Sequence, residues 1–199
     1  VVAIELSERF TPTHRQNITM LQRCKVIRGH RGNSILMEGD CRRFLPFEAD
    51  IIIFSPPYGD IMHWRGESGL AKTAKKGSHL FTGYDPHIQN IGNMAYPIYK
   101  EAMGAVYRLC RESLKPDSLM IAVTKDYVSS GERVPVTRDN IRLATENGFE
   151  LEEWHRRETP LQYMQIHFKE KREAKGTDKP ELTVEWEDIL VYIRKVKDV

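Results

Sequence analysis

Asp50-Ile51-Ile52-Ile53-Phe54-Ser55-Pro56-Pro57-Tyr58 is the stretch on which the fold turns. Ile51 to Phe54 is an unbroken apolar, mainly β-branched run, the composition of a buried strand. Pro56 and Pro57 cannot donate backbone hydrogen bonds, so the strand ladder ends where they begin. A buried strand that stops at such a corner marks the carboxyl edge of an α/β sheet, where ligands bind.

Working outward toward the N-terminus, Val1 to Leu6 reads as a short buried strand ending at Glu5. Thr11-Pro12 has the pattern of a helix N-cap followed by proline at the first helical position, and Ile18, Leu21 and Cys24 share one helix face. Ser34-Ile35-Leu36-Met37 is a second strand, closed by Glu38-Gly39-Asp40-Cys41. On the C-terminal side, Tyr96, Tyr99, Met103, Val106 and Cys110 recur at threes and fours and predict a helix that stops near Leu114, before Pro116. Leu119 to Val123 is a further strand, ending at Thr124-Lys125-Asp126. A helix from about Thr137 to Asn147 follows, with Gly148 suited to its C-terminal cap. Two final strands, roughly Phe149 to Arg157 and Ile189 to Lys195, flank a charged stretch containing Lys169-Glu170-Lys171-Arg172.

Strands alternating with helices predict an α/β domain with a mostly parallel sheet. The last two strands have no good helix between them and are expected to form an antiparallel edge pair. Residues 1–199 read as a single domain, with a long glycine-containing segment at 59–94 and a charged loop at 158–187. A segment as long as the first is functional or disordered. Arg65, Lys72, Lys75 and Lys76, with Trp64 and Tyr84, equip it as a lid or nucleic-acid contact, but Asp60, Glu67 and Asp85 nearly cancel its charge.

Composition narrows the classes further. A hydrophobic content of 40% in 199 residues supports one sizeable core. No run of eighteen apolar residues exists, so no transmembrane helix is expected, and Val1 to Leu6 lacks the charged leader of a signal peptide. Cys24, Cys41 and Cys110 are odd in number and far apart, which argues against a disulfide framework and points to a reducing cytoplasm. The seven histidines form no ligand-spaced pair, so no metal site is expected. A net charge of +2 neither requires nor forbids a nucleic-acid partner.

Ser55-Pro56-Pro57-Tyr58 after an apolar strand, with acidic residues ending two earlier strands, resembles the amino-group DNA methyltransferases that modify cytosine N4 or adenine N6. Their signature is (Asp/Asn/Ser)-Pro-Pro-(Tyr/Phe), and the similarity runs from Glu5 to the chain end in element order. The resemblance implies a Rossmann-like methyltransferase sheet, S-adenosylmethionine as cofactor, and DNA with a base flipped from the duplex as substrate. An exocyclic amine is a poor nucleophile because its lone pair is delocalised into the ring. Two acceptors on its N–H groups localise that pair, and Ser55 Oγ and the Pro56 carbonyl are the candidates, with Pro57 in the same signature. Tyr58 is implied to stack on the flipped base. Glu5 is implied to bind the cofactor ribose, Asp40 its adenine amino group, and Cys41 lies near that ring. The plainer readings are a charged strand terminus for Glu5 and a simple turn for Gly39-Asp40, and the functional one is preferred for both acids. Ser in the first motif position leans toward cytosine N4, in a restriction–modification or phage-like system of a prokaryote.

One family element is missing. The Gly-rich loop that binds the methionine part of the cofactor normally follows the first strand, whereas the first glycine of this sequence is Gly29. The resemblance therefore begins at the family's second strand, and the sheet is expected to have a gap. An N-terminally truncated chain, or a partner chain that supplies the first strand, would account for it. Three further readings stand beside DNA methylation: an RNA guanine methyltransferase, a protein glutamine methyltransferase, or a non-catalytic subunit that keeps only the base pocket.

Overall fold

A computed structural model of the chain describes residues 1–8, 10–23, 33–57, 87–129, 132–159, 173–176 and 184–195. Among these, the elements in chain order are β1 (Val2–Glu5), α1 (Thr11–Arg23), β2 (Ile35–Glu38), α2 (Cys41–Phe44), β3 (Ala49–Phe54), a 3-10 turn at Ile91–Asn93, α3 (Tyr96–Ser113), β4 (Leu114–Thr124), β5 (Tyr127–Ser129), β6 (Glu132–Val134), α4 (Val136–Glu146), β7 (Phe149–Glu158) and β8 (Trp186–Arg194). Tyr58 and residues 59–86, with Trp64, Arg65 and Tyr84, lie outside the described residues.

The longer strands form an α/β sheet in two hydrogen-bonded pieces, and β5 and β6 make a separate antiparallel pair. β1 and β2 pair in parallel, and a four-stranded piece has the order β3-β4-β8-β7. β3 and β4 are parallel, while β8 and β7 run antiparallel, so the expected antiparallel pair forms the sheet edge. β1, β2 and β3 each keep one edge unpaired among the described residues.

The core lies between the four-stranded piece and the helices α3 and α4. Tyr99, Met103, Val106, Tyr107 and Cys110 line one face of α3 and are all buried. They meet Met120 and Ala122 of β4, Leu190 and Tyr192 of β8, and Leu143 and Ala144 of α4. Each fully buried side chain such as Met103 or Leu190 contributes about 1.5–3 kcal/mol. Ile52 and Phe54 of β3 pack against this cluster, whereas Ile51 and Ile53 point away and are 48% and 65% exposed. The run that reads as buried on both faces is covered on one.

Two boundaries differ from the sequence expectation. β4 starts at Leu114 rather than Leu119, and its pairing with β3 jumps from Ala49–Leu114 to Ile51–Leu119. Pro116 cannot join a ladder, and Asp117 adopts φ 59°, so the chain bulges there before pairing resumes. Thr11 is the first residue of α1, and its hydroxyl donates to the Ser7 carbonyl at 3.1 Å instead of accepting as a cap. Gly148 takes φ 87° after α4, and a Cβ there would lie 2.5 Å from Arg111 Nε, so glycine is required.

Candidate active site

The carboxyl end of β3 passes into Ser55-Pro56-Pro57. The Ser55 hydroxyl donates to the Val123 carbonyl of β4 at 2.9 Å. This fixes the rotor: its only proton is engaged, and the oxygen presents lone pairs to whatever approaches. Ser55 is exposed and Pro56 is buried. The geometry makes Ser55 Oγ an acceptor at an open strand end.

Glu5 ends β1 and pairs in register with Glu38 of β2. Its Oε1 accepts from the Ser7 amide at 2.8 Å, and its Oε2 lies 3.3 Å from His14 Nε2. Arg15, the next residue of α1, bonds Glu38 in the same way at 3.0 Å through Nε. Thus α1 supplies a basic partner to each of two adjacent carboxylates. Gly39, at φ 142°, turns the chain after β2, and its amide donates to the Glu5 carbonyl at 2.8 Å.

Asp40 is buried and caps α2. Its carboxylate accepts from the Arg42 amide at 2.9 Å, from Arg42 Nε at 3.0 Å and from Arg42 Nη2 at 2.6 Å. Burial alone pushes this carboxyl up. The side-chain and backbone bonds from Arg42, with the charges of Arg42 and Arg43, outweigh it and hold Asp40 below its ordinary value. Arg42 Nη2 also donates to the Gln89 carbonyl at 2.9 Å, tying Asp40 to the segment before α3. Cys41 opens α2, half-buried against the core; burial and the Asp40 charge raise its thiol. Glu5, Asp40 and Cys41 therefore gather at the end of one sheet piece, and Ser55 and Pro56 stand at the end of the other.

A second cluster, invisible in the sequence, occupies the end of β4 and the start of β8. Asp188 is 1% exposed and accepts from Thr137 Oγ1 at 3.0 Å, Trp154 Nε1 at 2.8 Å and Arg156 Nε at 3.3 Å. The Thr137 proton is thereby committed, so Thr124 Oγ1 is the donor in their 3.0 Å contact. Asp126 accepts from the Thr137 amide at 2.9 Å and from Arg133 Nε at 2.8 Å, at the positive end of α4. These residues come from β4, β6, α4, β7 and β8, so no local spacing joins them. The one sequence signal is Trp154, an indole inside the charged run Glu152 to Glu158.

No family model matches this chain, and no curated protein matches its sequence. Among solved structures, an S-adenosylmethionine-dependent methyltransferase from Methanosarcina mazei superposes with a TM-score of 0.50 at 8% identity, over 99% of this chain and 82% of that one. A candidate sarcosine dimethylglycine methyltransferase from Galdieria sulphuraria gives 0.51 at 9% identity, over 98% and 69%. A candidate DNA modification methylase from Thermus thermophilus gives 0.47 at 17% identity, over 79% of this chain and 51% of that one. The chain thus spans about half the length of that methylase. The first two likenesses show the fold alone, a Rossmann-like α/β sheet.

Proposed function

We propose that this chain is the acceptor-binding part of an S-adenosylmethionine-dependent methyltransferase that modifies an exocyclic amino group of a DNA base, with cytosine N4 preferred. The observation that carries the reading is the Ser55 hydroxyl bonded to Val123, because it leaves oxygen lone pairs facing outward at the carboxyl end of β3. Those lone pairs, with the Pro56 carbonyl, would take the two N–H groups of an amine and localise its lone pair on nitrogen. Tyr58 would stack on the base, drawn out of the duplex so that its amine can be reached. A reducing, prokaryotic cytoplasm is the setting that goes with this reading.

The residues present fit the adenosine part of the cofactor. Glu5 ends β1 opposite Glu38 of β2, Asp40 follows two residues after Glu38, and Cys41 comes next; Glu5 and Asp40 would hold the ribose and adenine through acceptor oxygens. When bound, the cofactor would supply a methyl group on a sulfonium to the amine nitrogen, leaving as the neutral thioether, with the nitrogen's proton passing to solvent water. Positioning of the amine is the contribution of Ser55 and Pro56.

The methionine part needs the Gly-rich loop, which these 199 residues do not contain. We propose that a strand bearing it pairs with the open edges of β1 and β3, joining both pieces into one sheet. Either the same polypeptide or a partner chain can provide it. The coding sequence immediately upstream decides between these, because it either encodes a strand, a Gly-rich turn and a helix or does not.

The test is the modification itself. DNA from cells expressing the completed protein is sequenced for modified bases. N4-methylcytosine that disappears in Ser55→Ala is the expected result. N6-methyladenine would overturn the choice of base, and absence of any DNA modification would favour RNA guanine, protein glutamine or a non-catalytic role.

A further inference from the structure

The carboxyl end of the sheet carries a second surface at its far edge. Among the described residues β7 is an edge strand, and its exposed side chains are mostly charged, as suits an edge that must not aggregate. Trp154 is the exception, 47% exposed. The pairing registers place Phe54, Ala122, Leu190 and Trp154 in one row across the four strands. Thr124, Asp188 and Arg156 share the neighbouring row toward the carboxyl end. Three strand spacings of about 4.8 Å put Trp154 roughly 14 Å from Phe54, the residue before Ser55.

What fixes Trp154 is unusual for an edge. Asp188, fully buried, takes the indole N–H of Trp154 and the Nε of Arg156. Burying a carboxylate costs several kcal/mol, and an apolar pair would close the same space more cheaply. The carboxylate instead holds an exposed ring and an exposed guanidinium in fixed positions. Arg156 also lies 4.7 Å from the centre of the Trp186 ring, and Arg133 lies 5.0 Å from it. Lys125 is held by Thr159 Oγ1 at 2.7 Å at the end of β4.

Preset aromatic and guanidinium planes are the groups on which unstacked bases bind. We propose that Trp154, Arg156 and Trp186, with Arg133 and Lys125, form a stacking platform for unpaired nucleotides that flank the base held at Ser55. The proposal rests on the nucleic-acid reading of that site and names how the flanking strand is held. Asp126 and Asp188 neutralise Arg133 and Arg156, and among the described residues no carboxylate pairs with Lys125 of this group. Stacking rather than charge then carries the affinity, and the salt dependence is shallow.

The test is binding of a 5′-fluorescein single-stranded 12-mer oligodeoxynucleotide to the 199-residue chain, read by fluorescence anisotropy between 50 and 200 mM salt. Trp154→Ala is expected to weaken binding about tenfold. Trp154→Phe keeps a ring but loses the N–H that Asp188 holds, and is expected to weaken it about threefold. The slope of log K on log salt is expected near −0.7 to −1.4, as for one or two phosphate contacts. Circular dichroism establishes that the variants are folded; should Trp154→Ala unfold, Trp154→Phe and Arg156→Lys carry the comparison. Unchanged affinity in folded variants overturns the platform and leaves the acceptor reading intact. No binding by the unaltered chain also overturns it, while DNA modification at Ser55 is settled separately by sequencing.

Discussion

The Ser55 hydroxyl and the Val123 carbonyl, 68 residues apart, are joined at 2.9 Å across the ends of two parallel strands. The bond sets which part of the hydroxyl faces outward. Its removal is therefore the direct probe of the acceptor site. Ser55→Ala is expected to lower methyl transfer by roughly 100-fold or more, the scale of losing one polar group at a reacting centre. The chain should stay folded, because Ser55 is exposed and the β3–β4 ladder does not involve its side chain. Single-turnover kinetics with the completed protein checks the rate, and unfolding in urea checks the fold.

Asp188 concentrates three hydrogen bonds on one buried carboxylate. In Asp188→Ala, the Thr137 hydroxyl loses its acceptor and keeps only its contact with Thr124, and Arg156 and Trp154 lose their anchor. A loss of about 1–3 kcal/mol is expected, the cost of leaving buried polar groups without their hydrogen-bond partner, because Arg156 itself remains solvated. Urea unfolding followed by circular dichroism measures it, and a loss under about 1 kcal/mol would contradict the network.

Asp40 gives the protein an acid-sensitive joint. Its carboxyl is held below the ordinary value, 3.8, by Arg42 and Arg43 despite burial. A group depressed in the folded state adds stability above its unfolded value, and that stability is lost as pH falls through the folded one. Urea midpoints are therefore expected to fall below about pH 4, and Asp40→Asn should flatten that part of the profile. An unchanged acid limb in Asp40→Asn would rule the joint out.

Cys110 is 2% exposed, and burial pushes its thiol up to about 12. Cys41 is raised in the same direction by burial and by Asp40. Because thiolates are the reactive form, Cys110 should resist iodoacetamide at about pH 8 in the native chain and react on unfolding. Cys41 should react more slowly than a free cysteine peptide. Mass spectrometry of the alkylated peptides reads both.

The unpaired edges of β1 and β3 bear on cofactor binding. The 199 residues alone are expected to bind S-adenosylmethionine weakly or not at all, since only the adenosine side has candidate contacts. Isothermal titration calorimetry decides this. Micromolar affinity would show that no further strand is needed.

The sequence by itself determined the alternation of strands and helices, because burial imposes its own period on local residues. The α3 face from Tyr99 to Cys110 and the apolar run before Ser55 are legible for that reason. The tertiary structure alone decided what those residues touch. Asp40 reads as a strand end beside a turn, yet its partner is Arg42, which reaches on to Gln89. Pro116 reads as a stop, yet β4 bulges past it and pairs again at Leu119. Asp188 reads as one acid in a charged stretch, yet it gathers Thr137, Trp154 and Arg156 from a helix and a strand more than thirty residues away. Periodicity records which side of an element is buried; a hydrogen bond between distant elements leaves no period in the sequence.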